Sequence, residues 1–329
     1  MHPEPRTTNQ RPIRIGSSAC LLGQEVRFDG GHKRDPFLTD TLGAQVEFVS
    51  VCPEVEMGLG TPRETLRLVR VDDVQSPLRM VTTRTGIDHT RGMKRWAEKR
   101  LEQLARDEPD LCGYVLKKDS PSCGMERVKT YSDEGMPERN GRGLFAAALM
   151  ERFPLLPVEE EGRLNDPRLR ENFIERVFAY RRLKDLFSGN WSLGALIAFH
   201  TAHKIALLAH STTRYNELGR LVARGHEMPK RELRGAYEAA FMDTLKVVAT
   251  TRRHTNVLTH MMGHLKKQLD SESKRELART IEEYRLGLVP LVVPLTLFRH
   301  HVRVHGVAYL AGQTYLEPHP RELMLRNHV

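Results

Sequence analysis

The chain has 329 residues, 40% hydrophobic and 28% charged, which fits a globular protein long enough for two separate cores. Its first ten residues lack an apolar h-region. The longest apolar stretch, Leu286–Phe298, is too short for a bilayer and contains Pro290 and Pro294, so neither a secretory signal nor a membrane span is expected. The net charge of +9 is uneven: residues 1–155 hold 24 Lys+Arg against 23 Asp+Glu, whereas residues 156–329 hold 27 against 19 and 12 of the 15 histidines. A basic second half beside a near-neutral first half fits a polyanionic partner, although a plain basic surface has the same composition.

In chain order, Ile13–Ser17, Gln45–Val51 and Gly113–Leu116 read as strands. Leu66–Val71 and Met80–Thr85 read as further strands or a hairpin. Asp88–Asp107 has Met93, Trp96, Ala97, Leu101 and Leu104 at helical spacing, and Gly143–Phe153 reads as a second helix closed by Pro154. Strands alternating with helices predict a mostly parallel, Rossmann-like sheet. The pattern changes at Leu156–Gly162. Asp166 and Pro167 form an N-cap with a first-turn proline, and helices are predicted at about 167–187, 192–209, 211–224, 229–250, 252–270 and 272–287. A short helix or extended segment is predicted for Pro290–His301. The expected organisation is a flexible N-terminus over 1–12, an α/β domain over 13–158 and an all-α basic domain over 165–329.

Four cysteines in this length do not form a disulfide framework, and the cytoplasm, where thiols stay reduced, is the expected compartment. Cys20, Cys52 and Cys123 each stand where a predicted strand enters a tight turn rich in Pro, Gly, Ser or Glu. Ligands of open α/β sheets gather at the carboxyl ends of strands, so three thiols delivered there point to one shared site. The separations, 32 residues and then 71, match no compact zinc motif. Isolated buried cysteines are the ordinary alternative, and Cys112, opening an apolar strand, fits it. Thiolates select zinc, copper(I) or iron–sulfur clusters, and three leave one coordination position open; zinc is the second choice here.

The motifs Ser18-Ala-Cys20-Leu-Leu-Gly23, Val26-Arg27-Phe28-Asp29-Gly30, Cys52-Pro-Glu54, Gly58-Leu-Gly60-Thr-Pro62-Arg63 and Ser120-Pro-Ser-Cys123-Gly124 resemble those of the thiouracil desulfidase family. Phe199-His200-Thr-Ala-His203-Lys204, His254-Thr-Asn256-Val-Leu-Thr-His260 and Tyr315-Leu-Glu-Pro318-His-Pro320 resemble a helical domain, long without assigned function, that follows such desulfidases. The fused arrangement is similar to that of the tRNA 4-thiouridine desulfidases. What the resemblance implies is a [4Fe–4S] cluster held by Cys20, Cys52 and Cys123, with the fourth iron open. That iron would take the thiocarbonyl sulfur of a 4-thiouracil base in tRNA, and water would replace the sulfur to leave uridine. Neither a nicotinamide nor a flavin cofactor is implied, because hydrolytic sulfur removal moves no net electrons.

Water attack needs a base and a proton donor. Glu54, two residues from a cysteine, is the candidate for that role, and its ordinary alternative is a turn carboxylate. Ser120 is the second candidate, as a hydroxyl that orients water or base; Ser122 either shares the task or shapes the turn. Arg27, Asp29, Lys33, Arg63 and Lys118 are substrate-binding candidates, because a nucleotide brings phosphate and ribose. In the second half, His200 and His203 share a helix face without a carboxylate at metal-binding spacing, so a phosphate-facing surface with Lys204 fits better. Arg252-Arg253-His254, Lys266-Lys267 and Arg299-His300-His301-x-Arg303 add cations for RNA. The alternatives are a desulfidase of free thiolated nucleotides or bases, and a non-catalytic, cluster-bearing RNA-binding or redox-sensing protein. Glu54 and Ser120 weigh against the sensor, and the basic second half weighs against the free-nucleotide enzyme.

Overall fold

The computed structural model describes residues 12–70, 77–132 and 136–328. The chain forms two compact units, one ending at Asn165 and the other beginning at Asp166. In the first, strands β1 (Arg14–Ser18) and β2 (Glu47–Val51) are followed by a one-turn helix α1 (Pro53–Glu56), strands β3 (Leu66–Val69) and β4 (Arg79–Thr82), and helix α2 (Thr90–Asp107). Then come β5 (Leu111–Leu116), β6 (Val128–Tyr131), β7 (Glu138–Gly141), α3 (Leu144–Arg152) and β8 (Val158–Glu160).

The main sheet has the order β2-β1-β5-β8 with every pair parallel. All six residues of β5 are buried, as expected for a parallel strand covered on both faces. Met93, Ala97, Leu101 and Leu104 form the buried stripe of α2, which packs on α3. Trp96 meets Phe145 with ring centroids 5.4 Å apart, and Phe145 meets Tyr114 at 5.9 Å. The chain leaves β1 for β2 on one side and later returns to β5 on the other. The carboxyl end of β1 is therefore a topological switch point. A second sheet, β4-β3-β6-β7, pairs β3 with β4 antiparallel and β3 with β6 parallel.

Helices of the second unit are α4 (Pro167–Phe187), α5 (Leu193–His210), α6 (Thr212–Ala223), α7 (Lys230–Leu245), α8 (Thr251–Leu265), α9 (Ser271–Arg285), α10 (Val292–His305) and the one-turn α11 (Ala308–Ala311). Side chains of Asp166, Ser192, Ser211, Thr250 and Asp270 accept backbone N–H groups at five helix starts, satisfying donors that a helix leaves open. Ile205, Leu258, Leu277, Phe298 and Tyr315 belong to one buried cluster that joins α5, α8, α9 and α10. The architecture is thus an α/β unit with a mostly parallel main sheet, followed by an all-helical unit. No helix among the described residues is long and apolar enough to cross a membrane.

Several boundaries differ from the sequence pattern. The helix expected over 229–250 stops at Leu245, and Thr250 caps the next one. Pro290–His301 becomes a regular helix over Val292–His305, because Pro294 lies in its first turn, where a missing N–H costs nothing. Strands β6, β7 and β8 were not evident: their sequences are polar, and β8 includes two of three successive glutamates. Residues 1–11 of the expected flexible N-terminus, and Val71 of the expected strand, lie outside the described residues.

Gly16 in β1 is required by close packing rather than by a turn. A Cβ there would lie 2.2 Å from the ring of the fully buried Tyr114 on the neighbouring strand. Gly16→Ala is expected to destabilise the first unit by about 1–3 kcal/mol through overpacking. Denaturant unfolding followed by circular dichroism checks this, and an unchanged midpoint would show that Tyr114 moves aside freely.

Candidate active site

Three strand ends carry the three cysteines to one place. Cys20 lies in a 3-10 turn, Ala19–Leu22, directly after β1, and its carbonyl accepts the Lys33 N–H at 2.9 Å. Cys52 follows β2 and caps α1, where Pro53 occupies the first helical position. Its N–H donates to Glu56 Oε1 at 3.1 Å, and Glu56 is held in turn by Arg100 at 3.0 Å. Cys123 closes the loop after β5. Asp119 turns that loop with φ at +58°, a left-handed conformation that aspartate tolerates, and its carboxylate pairs with Arg139 at 3.0 Å. Cys20, Cys52 and Cys123 all line a single cavity of about 360 Å³. Cys112 is the second residue of β5, towards the opposite end of that strand, and its thiol donates to the Asp110 carbonyl at 3.2 Å.

Glu54 lines the same cavity. Its Oε1 accepts the Ser122 hydroxyl at 2.8 Å, and Oε2 lies 3.6 Å from Cys52 Sγ and 3.9 Å from Arg63 Nη2. The two serines of the loop have different partners. Ser120 lines the cavity, and its hydroxyl accepts the N–H groups of Ser122 at 3.2 Å and Cys123 at 3.1 Å. Ser122 is fully buried, outside the cavity lining, and reaches Glu54.

Among the cationic candidates, Arg27, Lys33, Arg63 and Lys118 line the cavity. Arg63 Nη1 also bonds the carbonyls of Val26 and Gly60, both at 2.9 Å, so this guanidinium ties two wall segments together. Asp29 is not part of the lining; its carboxylate accepts the Gly31 N–H at 3.1 Å and pairs with Arg27 at 3.5 Å, shaping the 27–31 turn. Sequence reasoning missed Ser18, Lys117 and Glu161. The Ser18 hydroxyl accepts the Lys117 N–H at 3.0 Å. The Lys117 ammonium lines the cavity and pairs with Glu161, whose other oxygen accepts the Lys118 N–H at 2.7 Å. Glu161 had no readable signal, because it falls in an acidic run that resembles a solvated linker.

Burial raises all three thiols. Cys52 is pushed up to about 12 by desolvation and then by the Glu54 carboxylate. Cys123 is raised by burial, by Glu54, and by the other two cysteines, whereas Lys117 works against burial at Cys20. Among the described residues no group of three or more His, Cys, Asp or Glu side chains is placed to hold a single metal ion. A multi-iron cluster, in which each thiolate binds its own iron, needs thiols around one cavity rather than converging on one ion.

In the helical unit the histidine pair does not form a phosphate-facing surface. His200 and His203 are both buried: His200 Nδ1 pairs with the Tyr237 hydroxyl at 3.2 Å, and His203 Nε2 accepts from Arg182 at 3.2 Å. His254 and His301 are buried too. Arg252, Lys266, Lys267, His300 and Arg303 are exposed. Inside this unit, Glu175 pairs with His210 at 3.4 Å, and Arg326 pairs with Glu171 at 2.9 Å while donating to the Tyr315 carbonyl at 2.6 Å. This network ties the end of the chain to α4.

Fold and site together define an α/β enzyme with a three-thiol centre at its strand ends, joined in one chain to a separate helical unit. The chain belongs to the 2-thiouracil desulfurase family, whose model matches residues 15–161; a model described as a protein of unknown function, DUF1722, matches residues 204–320. It is accordingly a desulfidase. An uncharacterised Escherichia coli protein, YbgA, is 34% identical over 165 residues, covering 50% of this chain and 98% of that protein. An uncharacterised Bacillus subtilis protein, YbbK, is 30% identical over 151 residues, covering 45% of this chain and 96% of its own. A solved structure described as a [4Fe-4S]-dependent thiouracil desulfidase, TudS, is 33% identical and covers 49% of this chain and 99% of its own, with a TM-score of 0.38.

The Glu175–His210 pair carries a pH signature. Burial alone would raise the Glu175 carboxyl, but His210 and Arg326 outweigh it and hold it well below the usual range. Its stabilisation is complete above the unfolded value of about 4.3 and is lost as the pH falls through the depressed folded value. Burial opposes protonation of His210, yet Glu175 raises it, so the histidine's contribution is lost as the pH rises through that raised value. Glu175→Gln is expected to flatten the acid limb and to cost about 3–5 kcal/mol at neutral pH, by leaving its partners uncompensated. Thermal unfolding from about pH 3 to pH 8 checks both effects.

Proposed function

We propose that the protein removes sulfur from 4-thiouridine in tRNA, leaving uridine. The observation that carries this reading is the convergence of Cys20, Cys52 and Cys123, from three strand ends, on one cavity that also contains Glu54. The donor set fits a [4Fe–4S] cluster: Cys20, Cys52 and Cys123 would hold it, and, with three thiolates for four irons, it would supply Lewis acidity toward the thiocarbonyl sulfur of the base. The net change is thiocarbonyl plus water to carbonyl plus hydrogen sulfide, so no electrons are transferred and no nicotinamide or flavin is needed.

The chain's own residues supply the rest. Glu54 takes a proton from the attacking water and returns it to the departing sulfur, which is general acid–base work beside the thiols. Ser120 holds the Cys123 loop through two N–H groups, so the ligand sulfur keeps its direction. Arg27, Lys33 and Lys118 supply positive charge along the cavity wall for a nucleotide phosphate. The functional division follows the expected domains, iron–sulfur desulfidase chemistry over 13–158 and tRNA binding over 165–329, with the first extended to Asn165 because β8 belongs to its sheet and Glu161 pairs with Lys117 of its cavity. The second assignment is supported by its excess of positive charge and by the exposed Arg252, Lys266, Lys267 and Arg303. A free thiolated nucleotide is the second reading, favoured by the cations that already line the cavity.

Anaerobic incubation of the reconstituted protein with 4-thiouridine-containing tRNA, followed by nucleoside analysis, is expected to convert 4-thiouridine to uridine. Turnover of the free nucleotide alone would favour the second reading. Alanine at Cys20, Cys52 or Cys123 is expected to abolish both the visible absorbance of the cluster and turnover, while Cys112→Ala spares both. Full activity after loss of any one of the three rejects the ligand assignment.

Charge reversal at Lys266 and Lys267 is expected to weaken tRNA binding and to lower the slope of log K against log salt by about 1 for each phosphate no longer neutralised. Turnover of a free nucleotide should be unaffected. An unchanged salt slope would assign RNA binding to other cations.

A further inference from the structure

The Ser122 hydroxyl is fully buried and outside the cavity lining, yet it donates to a carboxylate that does line it. Its surroundings leave it little freedom. The Ser122 carbonyl accepts the N–H groups of Phe145 and Ala146, both at 3.0 Å, at the start of α3. Gly143 packs so closely that a Cβ there would lie 2.4 Å from the same carbonyl oxygen. Ser120 accepts the Ser122 N–H at 3.2 Å from the other side. With the backbone held at three points, the hydroxyl has two near partners, Glu54 Oε1 at 2.8 Å and Met80 Sδ at 3.7 Å. Thioether sulfur is a weak acceptor, so the proton goes to the carboxylate.

We infer that Ser122 is a positioning residue for the reaction: it engages Glu54 Oε1 and thereby leaves Oε2 as the oxygen that exchanges protons in the cavity. Oε2 is the oxygen beside the thiol centre, 3.6 Å from Cys52 Sγ, and its cationic neighbour Arg63 stands at the outer limit of ion pairing, 3.9 Å. A carboxylate with two equivalent free oxygens rotates about its last bond. One with Oε1 held from behind presents a single oxygen in a fixed direction, and misplacement of a reacting group by about 1 Å costs on the order of 100-fold in rate. The rigid seat explains why this hydroxyl comes from the loop that also carries Cys123: one clamp fixes a thiol and the carboxylate's orientation together. Ser122 does not itself touch substrate.

The inference rests on reading Glu54 as the acid–base group, and the test separates the two. Kinetics on thiolated substrate, visible absorbance of the reconstituted cluster and the thermal midpoint are measured for Ser122→Ala, Glu54→Gln and the double variant. Ser122→Ala is expected to lower kcat by about 10–100-fold with KM within about twofold, keeping the absorbance. The double variant should be no slower than Glu54→Gln alone, because a residue that acts through Glu54 has nothing left to orient. Additive losses, or an unchanged kcat in Ser122→Ala, overturn the inference while leaving Glu54 in its role. Full turnover by Glu54→Gln overturns the underlying reading instead. Glu54→Asp gives the same information from the other partner should Ser122→Ala not fold. It keeps the carboxylate but withdraws it from Ser122 by one methylene, so turnover above about half of wild type would overturn the positioning role.

Discussion

The site depends on β1 being flanked by β2 and β5, both parallel to it. Parallel pairing points all three carboxyl ends the same way, so the residues that follow Ser18, Val51 and Leu116 arrive together. Antiparallel pairing of any one strand would send its cysteine to the far edge of the sheet. The close approach of Gly16 to Tyr114 belongs to the same constraint, because the register of β1 against β5 aligns Gly16 with Tyr114.

The cavity brings three buried thiols together with cations whose charge is already partnered. Lys117 is compensated by Glu161, and Arg63 is spent largely on carbonyls of its own wall. These contacts tie the wall segments to one another, and Arg27, Lys33 and Lys118 line the same cavity. Groups held in place before a substrate arrives lower the ordering cost of binding.

In the helical unit, buried polar groups have a structural use. Glu171, Glu175, His210 and Arg326 form a paired network that fastens the end of the chain to α4. Such networks are costly to break once made, because removing one partner strands the others in a low dielectric. His200, His203, His254 and His301, which look like a polar surface in the sequence, are thus core members, whereas Arg252, Lys266, Lys267 and Arg303 are exposed.

By itself, the sequence determined the alternation of strands and helices, the start of α4 at Pro167, and the three cysteines as a group distinct from Cys112. Those features have local causes: hydrophobic period, an Asp-Pro cap, and turn residues crowded around a thiol. It also marked Glu54 as a neighbour of Cys52, since two residues of chain cannot separate them far. Only the tertiary structure decided which serine reaches Glu54, because Ser120 and Ser122 look alike in sequence and differ in the direction the loop gives them. The same holds for Ser18, Lys117 and Glu161, whose partners lie 43 to 99 residues away. The polar strands β6, β7 and β8 and the burial of His200, His203 and His254 were equally hidden. Their hydrogen bonds and neighbours exist only after the chain has folded, and no local pattern encodes a partner that distant in sequence.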